Sequence, residues 1–162
     1  MRAVTSLPGL ADARARVAAV PDPELPMVTI ADLGILRSVT VGAEGVHVVL
    51  TPTYSGCPAV DAIRADVVAA LAPAPVEVEI ALAPAWTTDD ITPAGLAALS
   101  AHGIAPPGPL HGGVVALNLS VRCPQCGSTR TRELSRFGST ACKALWVCED
   151  CAEPFDRFKE HG

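Results

Sequence analysis

Aromatic side chains and long apolar runs are both scarce in this sequence of 162 residues. Hydrophobic residues make up 49% of the chain, but only two Trp, one Tyr and three Phe are among them, so aliphatic side chains must fill the core. Proline, aspartate or arginine interrupts every apolar run well before the roughly 18 residues that a membrane span needs. The first residues also lack the apolar stretch of a signal peptide. These absences predict a soluble, cytoplasmic globular protein with no membrane partner.

Motifs of the common enzyme classes are missing as well. The sequence contains no P-loop, no Gly-rich dinucleotide fingerprint, no G-x-S-x-G and no H-E-x-x-H. Its four histidines have no partner at ligand spacing, which favours structural roles for His47, His102, His111 and His161. No complete active site is recognisable, and the chain is not expected to be an enzyme.

Cysteine and charge divide the chain into two parts. Residues 1–103 carry 11 acidic and 5 basic side chains, a net charge of −6, whereas residues 104–162 carry 6 and 7, a net of +1. Five of the six cysteines follow position 122. A segment rich in glycine and proline at 103–113 has no room for a regular element and serves as a linker. We therefore predict a domain at 1–103, a linker and lead-in strand at 104–120, and a small metal-bound module at 121–162.

Hydrophobic periodicity predicts an α/β (α+β) first domain. An opening helix is expected between Pro8 and Pro21, followed by strands at 34–41 and 46–51 joined as a hairpin. A helix with Pro58 at its first position is expected over 58–71, then a strand at 76–82. A final helix over 93–101 would have Thr92 as its cap. Three prolines between 21 and 26 exclude a helix there.

Two C-x-x-C pairs are the strongest chemical signal in the chain. Cys123 and Cys126 are separated by 21 residues from Cys148 and Cys151, a spacing typical of a closed Cys₄ zinc site. Gly127 supplies the positive φ that such a turn often needs, whereas Ala152 at the second turn predicts a less regular geometry. Structural zinc is favoured, with a rubredoxin-like iron centre as the alternative.

Three arginines in this module, at 130, 132 and 136, raise the possibility of a nucleic-acid patch. The overall charge of −5 argues against it, and the arginines are expected to flank an anionic metal–thiolate centre instead. Nucleic acid is therefore not an expected partner.

The two remaining cysteines lie outside these pairs. Cys57 falls between a predicted strand and a predicted helix, at the N-cap or the residue before it, where helix N–H groups would lower its pKa and favour a thiolate. The alternative is a small buried hydrophobic residue. Cys142 is either a packed thiol or an exchangeable fifth ligand. The acidic residues Asp22, Glu24 and Asp32 could act in acid–base chemistry, although turn formation is the favoured local role.

Several sequence blocks resemble known families. The segments at 22–25 and 32–35, the threonine and Gly-Cys-Pro block at 51–58, and Trp86-Thr87 with Asp89 resemble the MIP18-like (DUF59) family over about the first 100 residues. The block at 137–145, set between two C-x-x-C pairs, is similar to the PaaD family associated with bacterial phenylacetyl-CoA ring epoxidase. The two resemblances together cover nearly the whole chain.

The resemblance implies a small mixed sheet with helices, followed by a Cys₄ zinc ribbon. It also implies an accessory subunit of the ring-1,2-phenylacetyl-CoA epoxidase in phenylacetate catabolism. MIP18-like proteins act in iron–sulfur cluster assembly or transfer, and the family cysteine matches Cys57. The hypothesis is therefore a maturation factor for an oxygenase component, with the other epoxidase subunits, especially the iron–sulfur reductase, as partners. A transient iron or iron–sulfur site would be formed by Cys57 with Asp22, Glu24, Asp32, Thr51 and Thr53, and by Cys142.

One cysteine per chain cannot hold a cluster alone, so a homodimer, Cys142 or the client must complete the site. Two alternatives remain open. The chain is a purely structural or scaffolding subunit of the oxygenase complex, or it is an electron carrier that uses the ribbon as a rubredoxin-like iron centre.

Overall fold

The structure, a computed structural model, describes residues 7–110 and 120–160, and its two compact units comprise residues 1–86 and 87–162. No helix within the described ranges is long and apolar enough to cross a membrane. The regular elements are α1 (Leu10–Ala18), β1 (Leu36–Gly42), β2 (Gly45–Leu50), α2 (Val60–Leu71), β3 (Val76–Ile80), a 3₁₀ turn (Thr88–Asp90), α3 (Pro93–Ala101), β4 (Ile104–Ala105), β5 (Thr131–Ser135), β6 (Lys143–Cys148) and β7 (Pro154–Phe158).

The first unit packs α1 and α2 with a three-stranded sheet of order β1-β2-β3. β1 and β2 form the predicted antiparallel hairpin, and β3 joins β2 in parallel after the α2 crossover. Every fourth residue of α2 is buried, at Ile63, Val67 and Leu71, which places one face of the helix in the core. Both predicted helices and all three predicted strands of this unit are present, with ends shifted by up to three residues.

The proline-containing segment after α1 holds no helix, as predicted. Asp22 instead organises a turn, because its Oδ1 accepts hydrogen bonds from the backbone N–H groups of Glu24 at 2.9 Å and Leu25 at 2.8 Å. The Asp22 N–H donates to the carbonyl of Val28 at 2.9 Å. These bonds hold the segment folded back on itself, so Asp22 is buried although it carries a carboxyl group.

The second unit contains α3 and a four-stranded sheet of order β4-β7-β6-β5. α3 begins as predicted, with the Thr92 hydroxyl accepting from the Gly95 N–H at 3.1 Å. The expectation that residues 103–113 hold no regular element is wrong at Ile104 and Ala105. These two buried apolar residues form β4 and pair in parallel with β7 before the prolines begin.

The compact units and the predicted domains divide the chain differently, because α3 contacts β4 and so belongs to the second unit. The domain boundary after residue 103 stays a prediction. Residues 111–119, which include His111 and most of the predicted lead-in segment, lie outside the described residues, as does His161.

Candidate metal centre and the Cys57 loop

The four ribbon cysteines converge on one point. The sulfur atoms of Cys123, Cys126, Cys148 and Cys151 all lie within 4.8 Å of one another. Cys123 and Cys151 are 3.8 Å apart, and Cys126 and Cys148 are 3.6 Å apart. Sulfur atoms placed tetrahedrally about 2.3 Å from a zinc ion are separated by about 3.8 Å, so the donor set fits zinc in number, chemistry and spacing. The four cysteines form a metal-binding cluster.

Two turns of the same kind hold these sulfur atoms. In the first, Gly127 adopts φ 75° and its N–H donates to the Cys123 carbonyl at 2.9 Å. In the second, Ala152 adopts φ 61°, which is the left-handed region that disfavours a side chain. Alanine is therefore held in the conformation that glycine adopts in the first turn, and the less regular geometry of the second turn stays a prediction.

Hydrogen bonds from backbone N–H groups affect the pKa values of the ribbon thiols to different extents. The N–H of Cys151 donates to the Cys148 sulfur and, with help from the N–H of Asp150, lowers the pKa of Cys148 to about 7. The N–H of Glu153 favours the thiolate of Cys151, but burial and the neighbouring thiols outweigh it and raise the pKa of Cys151 to about 12. A divalent cation removes this opposition, because metal binding favours the thiolate at every ligand.

Two arginine side chains form ion pairs with carboxylates of the second cysteine turn. Arg130 Nη1 lies 2.8 Å from Asp150 Oδ1, and Arg132 Nε lies 3.9 Å from Glu149 Oε1. Two of the three arginines that suggested a nucleic-acid patch are thus paired with carboxylates beside the thiols. The expected position beside the cysteines therefore describes Arg130 and Arg132, whereas Arg136 lies in the connection between β5 and β6.

Sequence reasoning missed the bond that joins the two cysteine turns. The Ser128 hydroxyl, just after the first turn, donates to Asp150 Oδ2 within the second turn. The same hydroxyl accepts from the Arg130 N–H at 3.0 Å. Nothing in the spacing indicates this contact, because serine and aspartate are common in any turn and the two residues meet only once the ribbon has formed.

Cys142 lies apart from the metal-binding cluster. It is buried, its sulfur is 3.1 Å from the Thr140 hydroxyl oxygen, and its carbonyl accepts from the Lys159 N–H at 2.9 Å. Within the described residues the clustered ligand atoms come from the other four ribbon cysteines alone. Cys142 is thus a packed thiol in this structure, and its role as an exchangeable ligand stays a prediction.

Cys57 sits in a loop that brings several predicted residues together. The loop connects β2 to α2, and the Ala59 N–H and the Thr53 hydroxyl both act as hydrogen-bond partners of the Cys57 sulfur. The carboxylates of Glu24 and Asp22 lie close enough to act on the Cys57 thiol electrostatically. Four of the predicted residues, Cys57, Asp22, Glu24 and Thr53, therefore share one locality.

The predicted direction of the Cys57 pKa is wrong. Burial raises the pKa of Cys57 above its usual value, and the negative charges of Glu24 and Asp22 add to that effect against the favourable bonds from Ala59 and Thr53. The predicted helix position is also wrong: α2 begins at Val60 with Ala59 as its N-cap. At neutral pH the isolated site thus holds a neutral thiol beside acidic groups.

The other candidates of this site differ in their surroundings. Thr51 is almost fully buried, and among the described residues its hydroxyl has no hydrogen-bond partner. The Asp32 carboxylate accepts from the Thr29 hydroxyl at 3.0 Å, and the Asp32 N–H donates back to that hydroxyl at 3.0 Å. Burial also raises the pKa of Asp22, against the two N–H groups that it accepts.

Two family models match this chain. A model described as an iron-sulfur cluster assembly protein matches residues 10–82, which include α1, the sheet of the first unit and the Cys57 loop. A model described as the PaaD zinc beta ribbon domain matches residues 113–159, which include all four clustered cysteines. The first match thus contains the Cys57 loop, and the second contains the metal-binding cluster.

Similar proteins are known over most of the length. A protein of Escherichia coli (strain K12), named as one of the subunits of 1,2-phenylacetyl-CoA epoxidase, is 48% identical over 143 residues, which are 86% of this chain and 86% of that protein. The crystal structure of a DUF59 domain from Bacillus anthracis is 29% identical and covers 56% of this chain and 90% of its own, with a TM-score of 0.51. A Mycobacterium tuberculosis protein associated with Fe-S complex assembly and repair is 30% identical over 62% of this chain and 92% of its own. The TM-score of that structure is 0.32, so the structural likeness rests on the DUF59 domain.

Proposed function

Because this chain belongs to the PaaD family, whose Escherichia coli relative is named as a component of 1,2-phenylacetyl-CoA epoxidase, we propose that it is an accessory protein of phenylacetate catabolism. Its more specific role is the assembly or transfer of an iron–sulfur cluster for a component of that oxygenase system. The other epoxidase subunits are its partners, and the iron–sulfur reductase is the client with the appropriate cofactor. It does not itself catalyse the epoxidation.

The observation that carries this proposal is the placement of Cys57 beside Asp22 and Glu24 in the part of the chain that matches the assembly family. The carboxylates oppose a free thiolate, but their charge favours an iron cation beside the sulfur. Iron binding releases the thiol proton and turns the same arrangement into a cation site. The Ala59 N–H and the Thr53 hydroxyl then stabilise the thiolate.

The ribbon has a separate task in this proposal. Cys123, Cys126, Cys148 and Cys151 would hold one zinc ion, which supplies the fixed centre around which a small module folds. A closed set of four thiolates leaves no open position for chemistry. The ribbon therefore serves to dock the client, while the cluster is handled at Cys57.

Replacing Cys57 tests the transfer role directly. The iron–sulfur reductase is produced in cells with this chain or with its Cys57→Ser or Cys57→Ala variant, and its iron, acid-labile sulfide and visible absorption are measured. Either variant should leave the reductase short of cluster, whereas Ser55→Ala, an exposed change in the same loop, should not. A full cluster in the reductase beside the Cys57 variants refutes the transfer role.

A scaffolding role is the second candidate, and the neutral Cys57 thiol favours it because burial suits a packed residue as well as a ligand. In that case Cys57→Ala leaves complex formation and ring epoxidation intact, while Cys148→Ser abolishes both. A pull-down of the epoxidase components together with an epoxidation assay separates the two roles.

Metal analysis of anaerobically purified protein distinguishes zinc from iron in the ribbon, which geometry alone does not, since both ions accept four thiolates. One zinc per chain and a colourless solution exclude a rubredoxin-like electron carrier. Native mass spectrometry with iron supplied tests the proposed homodimer, in which a second Cys57 completes the site.

A further inference from the structure

Phe137 is the most exposed large hydrophobic residue that the structure describes. It lies between β5 and β6 with 84% of its surface exposed, whereas Phe155 and Phe158 in the same unit are 5% and 0% exposed. Leu134, on the same hairpin, is 45% exposed. Single exposed apolar residues are common on protein surfaces, so the loop around the ring decides whether this one has a role.

Hydrogen bonds hold the backbone of the loop that carries Phe137. The Phe137 N–H donates to the Ser135 hydroxyl at 3.0 Å, and the Gly138 N–H donates to the Lys143 carbonyl at 2.9 Å. A side chain at Gly138 would place its Cβ 2.9 Å from that carbonyl oxygen, so the chain passes closer than other residues allow. Lys143 is itself buried and paired with Asp156 at 3.3 Å. A fixed loop with an outward ring loses little conformational freedom on binding, as binding anchors require.

Positive charge lies at the loop that carries Phe137. Arg136 is exposed, and the Lys159 ammonium donates to the Arg136 carbonyl at 3.2 Å. Four other cations of this unit have ion-pair partners, namely Arg130, Arg132, Lys143 and Arg157. Across residues 7–110 and 120–160 neither Arg136 nor Lys159 has an ion-pair partner. A surface that complements this loop therefore carries carboxylates.

The backbone of β5 is poorly suited to receive another strand. β5 is an edge of its sheet, but its pairing with β6 is interrupted by a register shift between Glu133 and Ser135, where Leu134 projects. Such a bulge twists an edge away from regular pairing. Recognition at this hairpin must then come from its side chains.

We propose that the tip of this hairpin, residues 134–138 with Lys159, is the surface that holds the iron–sulfur reductase, with Phe137 inserted into an apolar pocket that has an acidic rim. This inference rests on the proposed function, in which the ribbon docks the client, and it names the residues that do so. Phe137 supplies the buried anchor, and Arg136 and Lys159 orient the approach.

Binding measurements on the full, metal-loaded chain test this surface. The purified iron–sulfur reductase is the probe, titrated against the immobilised chain at low and at high salt, and the purified oxygenase component is titrated in the same way for comparison. Phe137→Ser should weaken the Kd by about 30-fold or more, as expected for a central aromatic anchor, and Phe137→Leu should restore part of the loss. Arg136→Glu should slow association and reduce its dependence on salt.

Leu82→Ser is the matched control, because Leu82 is also exposed, at 59%, but lies in the other unit. It should keep the wild-type affinity. The metal content and melting temperature of the Phe137 variants should equal those of wild type, since an exposed ring contributes little to folding. This comparison separates a binding defect from an unfolded ribbon.

Two results overturn the inference: Phe137→Ser binds the reductase as tightly as wild type, or the wild-type chain does not bind the reductase. The cluster assay on Cys57 variants stands apart from this test. Loss of cluster with normal binding of Phe137→Ser keeps the transfer role and rejects the hairpin surface. Weakened binding of Phe137→Ser with a full cluster beside Cys57→Ala keeps the surface and rejects the transfer role.

Discussion

Removing the metal should unfold the second unit while leaving the first one folded. The described hydrophobic cluster of the second unit has seven members, and two of them, Cys123 and Cys148, are themselves proposed ligands. A module of this size rarely gains more than about 3–5 kcal/mol from its core. A structural zinc site contributes about 10 kcal/mol or more. Its loss therefore exceeds what the remaining contacts can supply.

Each unit carries one tryptophan, which allows the two to be followed separately. Trp146 is 9% exposed in the ribbon, with the Arg157 guanidinium 5.3 Å from its ring. Trp86 is 4% exposed in the first unit, and its Nε1–H donates to the Leu33 carbonyl at 2.7 Å. Trp86→Phe and Trp146→Phe variants give two single-tryptophan proteins whose emission reports one unit each.

After chelation the emission of Trp146 should shift to longer wavelength, and that of Trp86 should not. Returning zinc should reverse the shift, because the ligands remain in the chain. The predicted role of the metal is refuted if metal analysis shows a metal-free protein whose Trp146 emission is unchanged. It is also refuted if both tryptophans respond together, since the metal would then support the first unit as well.

Two further predictions follow from local backbone and charge. Ala152→Gly should raise the free energy of unfolding of the metal-bound protein by about 0.5–1 kcal/mol, because glycine relieves the left-handed strain at φ 61°. Chemical denaturation measures this free energy, and an unchanged or lower value contradicts the strain. Cys57 should react with iodoacetamide slowly at neutral pH, and the midpoint of its rate against pH should lie above that of an ordinary cysteine, because its pKa is raised in the folded state. Peptide mapping of the alkylated protein across a pH series measures this rate, and fast reaction at neutral pH would contradict the raised pKa. The raised pKa also affects stability, because the folded state holds the Cys57 proton more tightly than the unfolded state does. The resulting contribution to the free energy of unfolding is present at neutral pH and is lost as the pH rises through the folded-state pKa of Cys57.

Features that depend on neighbours in sequence were predictable. The spacing of Ile63, Val67 and Leu71 indicates α2, and the two C-x-x-C pairs indicate one ligand cluster without any knowledge of the fold. The Thr92 cap also follows from a local rule. In each case the signal is a short period or a single residue type at a fixed position.

Features that depend on distant contacts were not predictable. The pKa of Cys57 is set by burial and by Glu24 and Asp22, more than 30 residues earlier, and only the folded loop brings them close. β4 exists because Ile104 and Ala105 meet a strand about 50 residues later. The conformation of Ala152 is likewise imposed by the cysteine turn, against the local preference of alanine.

The short parallel pairing of β4 with β7 determines how an isolated fragment that contains the ribbon should behave. β4 covers the side of β7 that faces away from β6, so the sheet has only β4 and β5 at its edges. A fragment that starts at residue 121 lacks β4 and leaves β7, with Phe155 and Phe158, open to other chains. Such a fragment should self-associate through β7, whereas one that begins at Thr87, before α3, keeps that strand covered.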